Sequence, residues 1–212
     1  SAACQSITEY LFLQEKEFAF GVSLSHPHIA ETYSLENIEG YGRCIVMEYV
    51  DGTTLAEWLT TNPSKAARQR VMMQLLDALE YIHSLQLVHH DLKSSNILIT
   101  RNGQNVKLID FGLSNTDSTS DNNNSTTDIQ LLANILTLLF PNRYRPIVRA
   151  CQQGTYANIA ALKQAFHRRQ IWQKTIPYIV SAICVILCSI LSFQHISNKL
   201  REQEMLKTVN YH

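Results

Sequence analysis

The chain has 212 residues, with 18 basic and 18 acidic side chains, so its formal net charge is zero. This balance gives no reason to expect nucleic acid or an acidic surface as the main partner. The five cysteines form no CxxC pair and fit neither a zinc site nor a disulfide framework, and the length allows one domain with an appendage.

The N-terminal part predicts a helix and then a short strand. Residues Glu9–Leu24 have a helical pattern, with Gly21 as a weak point because glycine disfavours helix interiors. The apolar run Ile45–Val50 is typical of a short strand.

The middle of the chain predicts a long helix and a β-hairpin. The stretch KAARQRVMMQLLDALEYIHSLQL repeats apolar residues with the period of a helix. NILIT and VKLIDF then read as two short strands, and the loop RNGQN between them contains the Asn-Gly pair that favours a hairpin turn.

The sequence that follows the hairpin, up to about residue 170, is typical of a loop and then helices. Residues 114–128 contain only Ser, Thr, Asn and Asp, a composition that forms a flexible loop. The stretches DIQLLANILTLLF, RPIVRACQQ and NIAALKQAFHRR follow as three helices. The chain therefore changes from a few strands to mostly helices, which is an α+β architecture.

The C-terminal part predicts one transmembrane helix over residues 175–196, followed by a short tail, 197–212. The apolar core of the segment, Ile176–Phe193, is long enough to cross a hydrocarbon layer of about 30 Å. Trp172 and Tyr178 lie where an interfacial aromatic belt is expected. The alternative, a buried core helix, is disfavoured because little chain follows to bury it. Four basic residues before the segment and three after it weakly favour a cytoplasmic N-terminal side.

Two motifs on either side of the hairpin carry chemistry. HHDLKSSN begins at His89, and DFG begins at Asp110; they match the pattern HRD-L-xxx-N followed by DFG. Phosphoryl transfer needs a carboxylate that orients the attacking hydroxyl and oxygen ligands that hold magnesium on the phosphates. The hairpin would bring Asn96 and Asp110 to one magnesium site.

On these motifs the chain resembles the protein kinase family over residues 9–170. The resemblance implies a protein kinase-like fold in which residues 1–50 are a partial N-lobe and residues 51–170 the helical C-lobe. It implies Asp91 as the catalytic base and Lys93 near the transferred phosphoryl group. A lysine two residues after the aspartate is typical of the Ser/Thr branch.

The same resemblance implies an ATP site, with Mg²⁺ held by Asn96 and Asp110. HPHIA resembles the family's HPNIV after helix αC, and counting back from it matches Glu17 to the glutamate that pairs with the ATP-binding lysine. VMEYVDG resembles the hinge, and Leu98 matches the apolar floor under the base. In that hinge, the gatekeeper and the two residues expected to offer backbone bonds to adenine are Met47, Glu48 and Val50.

The chain departs from the family pattern at three places. Residues 1–16 contain no glycine-rich loop and no strand lysine, so those parts either lie upstream or never existed. The first residue, Ser, favours the first alternative, a longer open reading frame. Only 18 positions separate Asp110 from Asp128, with no APE motif between them, so the activation segment is short. His90 replaces the arginine that would hold an activation-loop phosphate.

A further departure concerns the family's stack of four apolar side chains from helix αC to the catalytic loop. The matching residues are Gly21, Thr32, Phe111 and His89, and the first two predict poor packing and an easily displaced helix.

Two functions remain open from the sequence. The first is a single-pass membrane Ser/Thr protein kinase with its kinase part in the cytoplasm, acting on ATP and an unknown protein substrate and not on nucleic acid. The second is a catalytically weak or inactive pseudokinase that acts as a membrane-bound scaffold. Small-molecule phosphotransferases of the aminoglycoside or choline type fit less well, because their second motif usually lacks the Phe-Gly pair.

Overall fold

The computed structural model describes the backbone of residues 2–111 and 124–209, and the side chains of residues 11–111, 127–172, 175–199 and 201. The chain divides into two compact units, residues 1–165 and 166–212, and each is described by itself. Gly112 of the DFG motif and most of the polar run 114–128 lie outside the described residues. The division of the first unit at residue 50 stays a prediction.

The N-terminal part of the first unit consists of a helix and a two-stranded antiparallel sheet. Helix α1 (Ala2–Val22) begins earlier than predicted and ends two residues sooner, where the Ser23 hydroxyl and amide both bond to the carbonyl of Phe20. Strand β1 (Thr32–Ile38) pairs with β2 (Gly42–Met47), with Leu35 opposite Ile45. The predicted strand is thus β2, shifted towards the N-terminus, and β1 was missed because its polar residues hide the apolar alternation.

A three-stranded antiparallel sheet carries the predicted hairpin at its centre and one edge. Its order is β3 (Gly52–Thr54), β4 (Ile97–Thr100) and β5 (Val106–Leu108). Ile97 lies opposite Leu108, which confirms the hairpin. Gly52 is required at the edge, because a Cβ there would lie 2.5 Å from the carbonyl oxygen of Ile99.

Helices make up the rest of the first unit. Helix α2 (Leu55–Thr60) was missed, although Thr54 and Glu57 form the capping box that signals a helix start. The long helix α3 (Lys65–Ser84) is confirmed, and Ser64 caps it. Helices α4 (Asn124–Leu139) and α5 (Arg145–Gln152) occupy the predicted stretches, and a single 3₁₀ turn, Ser94–Asn96, precedes β4.

The hydrophobic core lies between α3, α4 and the inner face of the three-stranded sheet. The apolar period of α3 points one face inwards, as expected for an amphipathic helix. The sheet contributes the residues whose side chains alternate towards that face. Fully buried members from α3, β4, β5 and α4 include Val71, Leu75, Leu79, Ile97, Val106, Leu108, Leu132 and Leu136.

The last helix, α6 (Ile159–Val209), is a single element of 51 residues. The sequence predicted a short helix over NIAALKQAFHRR and a separate transmembrane helix over residues 175–196. That division is wrong: α6 runs through Pro177 without a break, because the residues between the two stretches are compatible with a helix. Within the described part of the chain, Ile159–Lys199 is long and apolar enough to cross a membrane, with a stretch of mean hydropathy 2.4 that is not buried.

Candidate active site

The loop between α3 and β4 brings three of the predicted site residues into contact. The ammonium group of Lys93 lies 2.5 Å from Oδ2 of Asp91. The side-chain amide of Asn96 donates to the same Oδ2 at 2.9 Å and to the backbone carbonyl of Asp91 at 3.0 Å. Asn96 is buried, while Asp91 and Lys93 are partly open to solvent. The carboxylate is therefore held in one orientation from two sides.

These contacts also keep Asp91 ionised. Burial by itself raises the pKa of Asp91, but the hydrogen bonds from Lys93 and Asn96 and the positive charge of Lys93 outweigh it, so the pKa lies below its ordinary value. A carboxylate that is charged at neutral pH can accept a hydrogen bond from an incoming hydroxyl group.

The hairpin places Asp110 beside Asn96. The register of β4 and β5 ends with Ile97 opposite Leu108, and one step further the amide of Ile109 donates to the carbonyl of Asn96 at 3.0 Å. Asp110 follows directly, exposed and with a positive φ of 53°, which is uncommon for a residue other than glycine. Such conformations cluster at functional sites, where the surrounding structure holds them.

The oxygen atoms at this end of the hairpin suit a magnesium ion. Both bonds from the amide nitrogen of Asn96 go to Asp91, so its Oδ1 is left as an acceptor, in contact with the Ser95 hydroxyl at 3.2 Å. Magnesium keeps several waters and takes one or two protein ligands together with substrate phosphates.

Glu17 of α1 faces the same region. Burial raises its pKa above the ordinary value, and the negative charge of Asp110 raises it further. Among the described residues no Lys or Arg pairs with Glu17, and the adjacent Lys16 lies over the ring of Phe12 at 4.5 Å. Two neighbouring carboxylates without a described counter-charge are an environment that fits a cation.

The predicted hinge residues follow the end of β2. The Glu48 amide already donates to the carbonyl of Glu31 at 2.7 Å, and its carboxylate pairs with Lys107 at 2.7 Å. Only the carbonyl of Glu48 could therefore contact a base. The amide of Val50 makes no hydrogen bond to a described residue.

Met47 and Leu98 complete the predicted base-binding residues. Met47 is half-buried at the end of β2, opposite Thr32 of β1. Leu98 is half-buried and lies between the fully buried Ile97 and Ile99, so it points to the sheet face opposite the core.

A residue that was not among the predicted site residues fixes the start of the loop between α3 and β4. The carboxylate of Asp128, in α4, is fully buried. It accepts hydrogen bonds from the backbone amides of His89 at 2.9 Å and His90 at 3.0 Å, and it contacts Nε2 of His83 at 2.8 Å. His90 has a φ of 64°, so these bonds hold a strained backbone in place. The sequence signal was present, because Asp128 is an acidic residue at the start of a strongly apolar helix.

An aromatic stack joins α1 to the loop. The ring of Phe111 lies 4.9 Å from that of His89 and 4.7 Å from that of Phe20, between ring centres. The expectation of poor packing at Gly21 is wrong: a Cβ on Gly21 would lie 2.3 Å from Oγ1 of Thr32, so helix and strand already touch. The side chain of Phe20 packs against Phe111, where Gly21 has no side chain to contribute. Burial lowers the pKa of His89 to about 4, so this ring is neutral at neutral pH.

Comparison with known proteins places these features in context. The family described as protein kinase domain matches residues 8–134. The serine/threonine-protein kinase PrkC of Bacillus subtilis is 40% identical over 110 residues, which cover 50% of this chain and 16% of that protein. The probable serine/threonine-protein kinase PknB of Lactococcus lactis is 31% identical over 146 residues, which cover 68% of this chain and 22% of that protein.

A solved structure is similar over most of the chain. The kinase domain of Mycobacterium tuberculosis PknI, in a double-mutant form, superposes with a TM-score of 0.60 at 20% identity, covering 79% of this chain and 82% of that one. At this identity the likeness shows the fold alone. The aligned part of this chain spans about one sixth of the length of PrkC.

Proposed function

Because the chain belongs to the protein kinase family and has its α+β, kinase-like fold, we propose that the whole protein is a membrane-anchored Ser/Thr protein kinase. It would transfer the γ-phosphoryl group of ATP to a hydroxyl group of a protein. The observation that carries this proposal is the contact of Lys93 and Asn96 with the carboxylate of Asp91, in a loop that is tied to the segment before Asp110 by the bond from the Ile109 amide to the Asn96 carbonyl.

Asp91 would orient the attacking hydroxyl and accept its proton as the bond to phosphorus forms. The carboxylate is charged at neutral pH and can accept a hydrogen bond from the hydroxyl. The lowered pKa of Asp91 makes it a weak base, so its main contribution would be to orient the hydroxyl. Lys93 would donate to the transferred phosphoryl group from a position that already touches Asp91. Both roles require orientation and charge, which are the main protein contributions to phosphoryl transfer.

Asn96 and Asp110 would hold Mg²⁺, through Oδ1 of the amide and the carboxylate. When bound, the ion would neutralise the charge on the ATP phosphates. Glu17, whose pKa is raised by burial and by the charge of Asp110, would be compensated by a lysine of the kind that the family pairs with ATP. The adenine would lie between Met47 and Leu98, and the carbonyl of Glu48 and the amide of Val50 would bond to its edge.

The activity is tested on the full-length protein with radiolabelled ATP, magnesium and a mixture of protein substrates. Asp91→Ala should reduce transfer to background, since the hydroxyl loses its acceptor. Asp77→Ala is the matched control, because Asp77 is a partly exposed aspartate on α3 that lies outside the candidate site and pairs with Lys163 at 2.5 Å. Equal activity in the Asp91→Ala variant and the wild type would refute the proposed role.

The alternative function, a pseudokinase scaffold, is favoured by one observation. Helix α4 begins at Asn124, so only residues 112–123 are available for the segment that positions a protein substrate in kinases. Calorimetry with magnesium-ATP, combined with the phosphoryl-transfer assay, separates the two functions. Nucleotide binding without transfer above the Asp91→Ala background would favour the scaffold.

The membrane anchor rests on α6, whose apolar stretch is long enough to span a bilayer. The proposed topology places the kinase part in the cytoplasm, where ATP is available, and the tail on the other side. Single-cysteine variants at positions 160 and 210 should then be labelled from opposite sides of the membrane. Extraction of the protein by carbonate without detergent would contradict a spanning helix.

A further inference from the structure

Although the net charge is zero, the acidic and basic residues are unevenly distributed along the chain. Residues 1–128 contain sixteen acidic and eight basic side chains. Residues 129–201 contain nine Lys and Arg and not one Asp or Glu. The part of this acid-free stretch that belongs to the first unit includes the end of α4 and all of α5.

A groove crosses the turn between α4 and α5. It consists of two adjoining depressions of about 480 and 270 Å³ that share Phe140 and Asn142. Apolar groups of Pro63, Leu139 and Val148 line it, and none of the described residues that line it is acidic. Five cationic residues also line it, and together with these apolar groups they define what we call the basic groove: Lys65, Arg68, Arg143, Arg145 and Arg149.

The cations of the basic groove have no counter-charge among the described residues. None of the five takes part in an ion pair there, although Arg43, Lys93, Arg101, Lys107 and Lys163 each contact a carboxylate elsewhere in the same unit. An array of unpaired guanidinium groups is costly to bring together, since like charges repel. It is the arrangement expected where an external anion completes the charge balance.

Three of the arginines are held in place. Arg68 donates to the carbonyls of Pro63 at 3.0 Å and of Leu139 at 3.2 Å. Arg145 donates to the side-chain carbonyl of Asn142. The guanidinium of Arg143 lies over the ring of Tyr144, 5.8 Å from its centre. These contacts fix the guanidinium groups, and the N–H groups that they do not use are held in place with them, which lowers the entropy cost of binding.

We propose that the basic groove binds an acidic peptide segment of a partner protein. Fixed arginine forks match the geometry of carboxylate groups and bind them through paired hydrogen bonds. The apolar groups of the groove provide contact area for the aliphatic side chains between the acidic ones. A membrane surface fits less well, because the cations of the groove are mainly fixed arginines instead of flexible lysines.

The groove is separate from the candidate active site. Asp128, which holds the catalytic loop, lies near the start of α4, and Leu139 is the last residue of that helix. Eleven residues of helix at 1.5 Å each put the two ends roughly 17 Å apart. Binding at the groove therefore does not require nucleotide or phosphoryl transfer, and it can be tested whether or not the protein is an active kinase.

The test uses the full chain in nanodiscs of phosphatidylcholine, without ATP. The probe is a fluorescein-labelled dodecapeptide with Asp or Glu at alternate positions and Leu, Val or Pro between them, followed by fluorescence anisotropy. We expect saturable binding that weakens at high salt, and no binding of the same peptide with Asn and Gln in place of its acids. Arg145→Gln combined with Arg149→Gln should weaken binding at least tenfold. Arg70→Gln, an exposed position on α3 outside the groove, should not change it.

Other outcomes would overturn the proposal. Equal binding of the acidic and the neutral peptide would show that the groove does not recognise charge. An equal loss of affinity in the Arg70→Gln variant would point to general electrostatic attraction. A third outcome is that the acidic peptide does not bind, while the arginines of the groove are protected from chemical modification only in nanodiscs that contain phosphatidylglycerol. The groove would then contact anionic lipid, and the peptide proposal would be wrong. Arg68→Gln serves as a second variant from the other wall of the groove.

Discussion

Replacing Asp128 by Asn tests whether this buried carboxylate holds the catalytic loop. The carboxylate is fully buried and accepts hydrogen bonds from the amides of His89 and His90 at 2.9 and 3.0 Å, beside Nε2 of His83 at 2.8 Å. Burial raises the pKa of Asp128, but the bonds from His83 and His89 outweigh it and lower the pKa, so the charged form is the one that is held.

The magnitude follows from those bonds. Asn keeps one oxygen and places an amide group where the second oxygen accepts a hydrogen bond, so at least one buried backbone amide loses its partner. A hydrogen bond to a charged group contributes about 1.5–3 kcal/mol, and an unpaired buried donor costs about 1–3 kcal/mol more. We therefore expect the free energy of unfolding to fall by about 3–5 kcal/mol.

The assay is urea unfolding of the full chain in detergent micelles, followed by the fluorescence of Trp58, which is buried in the first unit. A Trp172→Phe background removes the second tryptophan, which is exposed on α6. Asp51→Asn is the control, since its ion pair with Arg101 is exposed and should contribute less than about 1 kcal/mol. A loss for Asp128→Asn no larger than that of the control would refute the reasoning.

Three further predictions concern the same site. In a full-length protein, Asp110→Asn should abolish the magnesium-dependent part of ATP binding in calorimetry, and an unchanged magnesium-dependent signal would contradict its role as a ligand. Gly21→Ala should destabilise the protein by about 1–3 kcal/mol in urea unfolding, because its Cβ would lie 2.3 Å from Oγ1 of Thr32, and adding Thr32→Ala should recover part of the loss; a stabilising Gly21→Ala alone would show that helix and strand do not touch. Because the pKa of His89 in the folded protein is about 4 and that of an unfolded histidine about 6.5, its contribution to stability is complete above pH 6.5 and falls by about 3 kcal/mol as the pH is lowered to 4. Urea midpoints measured over this range should fall less in a His89→Leu variant, and an identical pH dependence would sink the assignment.

Local features of the sequence determined most of the helices, the central hairpin and the contact among Asp91, Lys93 and Asn96. Helix α3 and the β4–β5 hairpin depend on apolar period and on an Asn-Gly turn, both of which act over a few residues. Asp91, Lys93 and Asn96 lie within six positions of one another, so a short loop was enough to bring them together. Asp110 follows β5, whose register with β4 is also set by residues close in the chain.

Tertiary structure alone decided the features that depend on residues far apart in the chain. Asp128 reaches backbone amides 38 and 39 positions away, and no local pattern states which donors a buried carboxylate will meet. The sequence pattern matched Gly21 to the first position of the stack, but the ring of Phe20 contacts Phe111 there instead. The reason is that the contact of α1 with β1 at Thr32 sets the rotation of the helix. The basic groove depended on packing in the same way. Charge pairing is a property of surfaces, and neutral composition cannot reveal that the carboxylates lie elsewhere while several arginines share one groove without them.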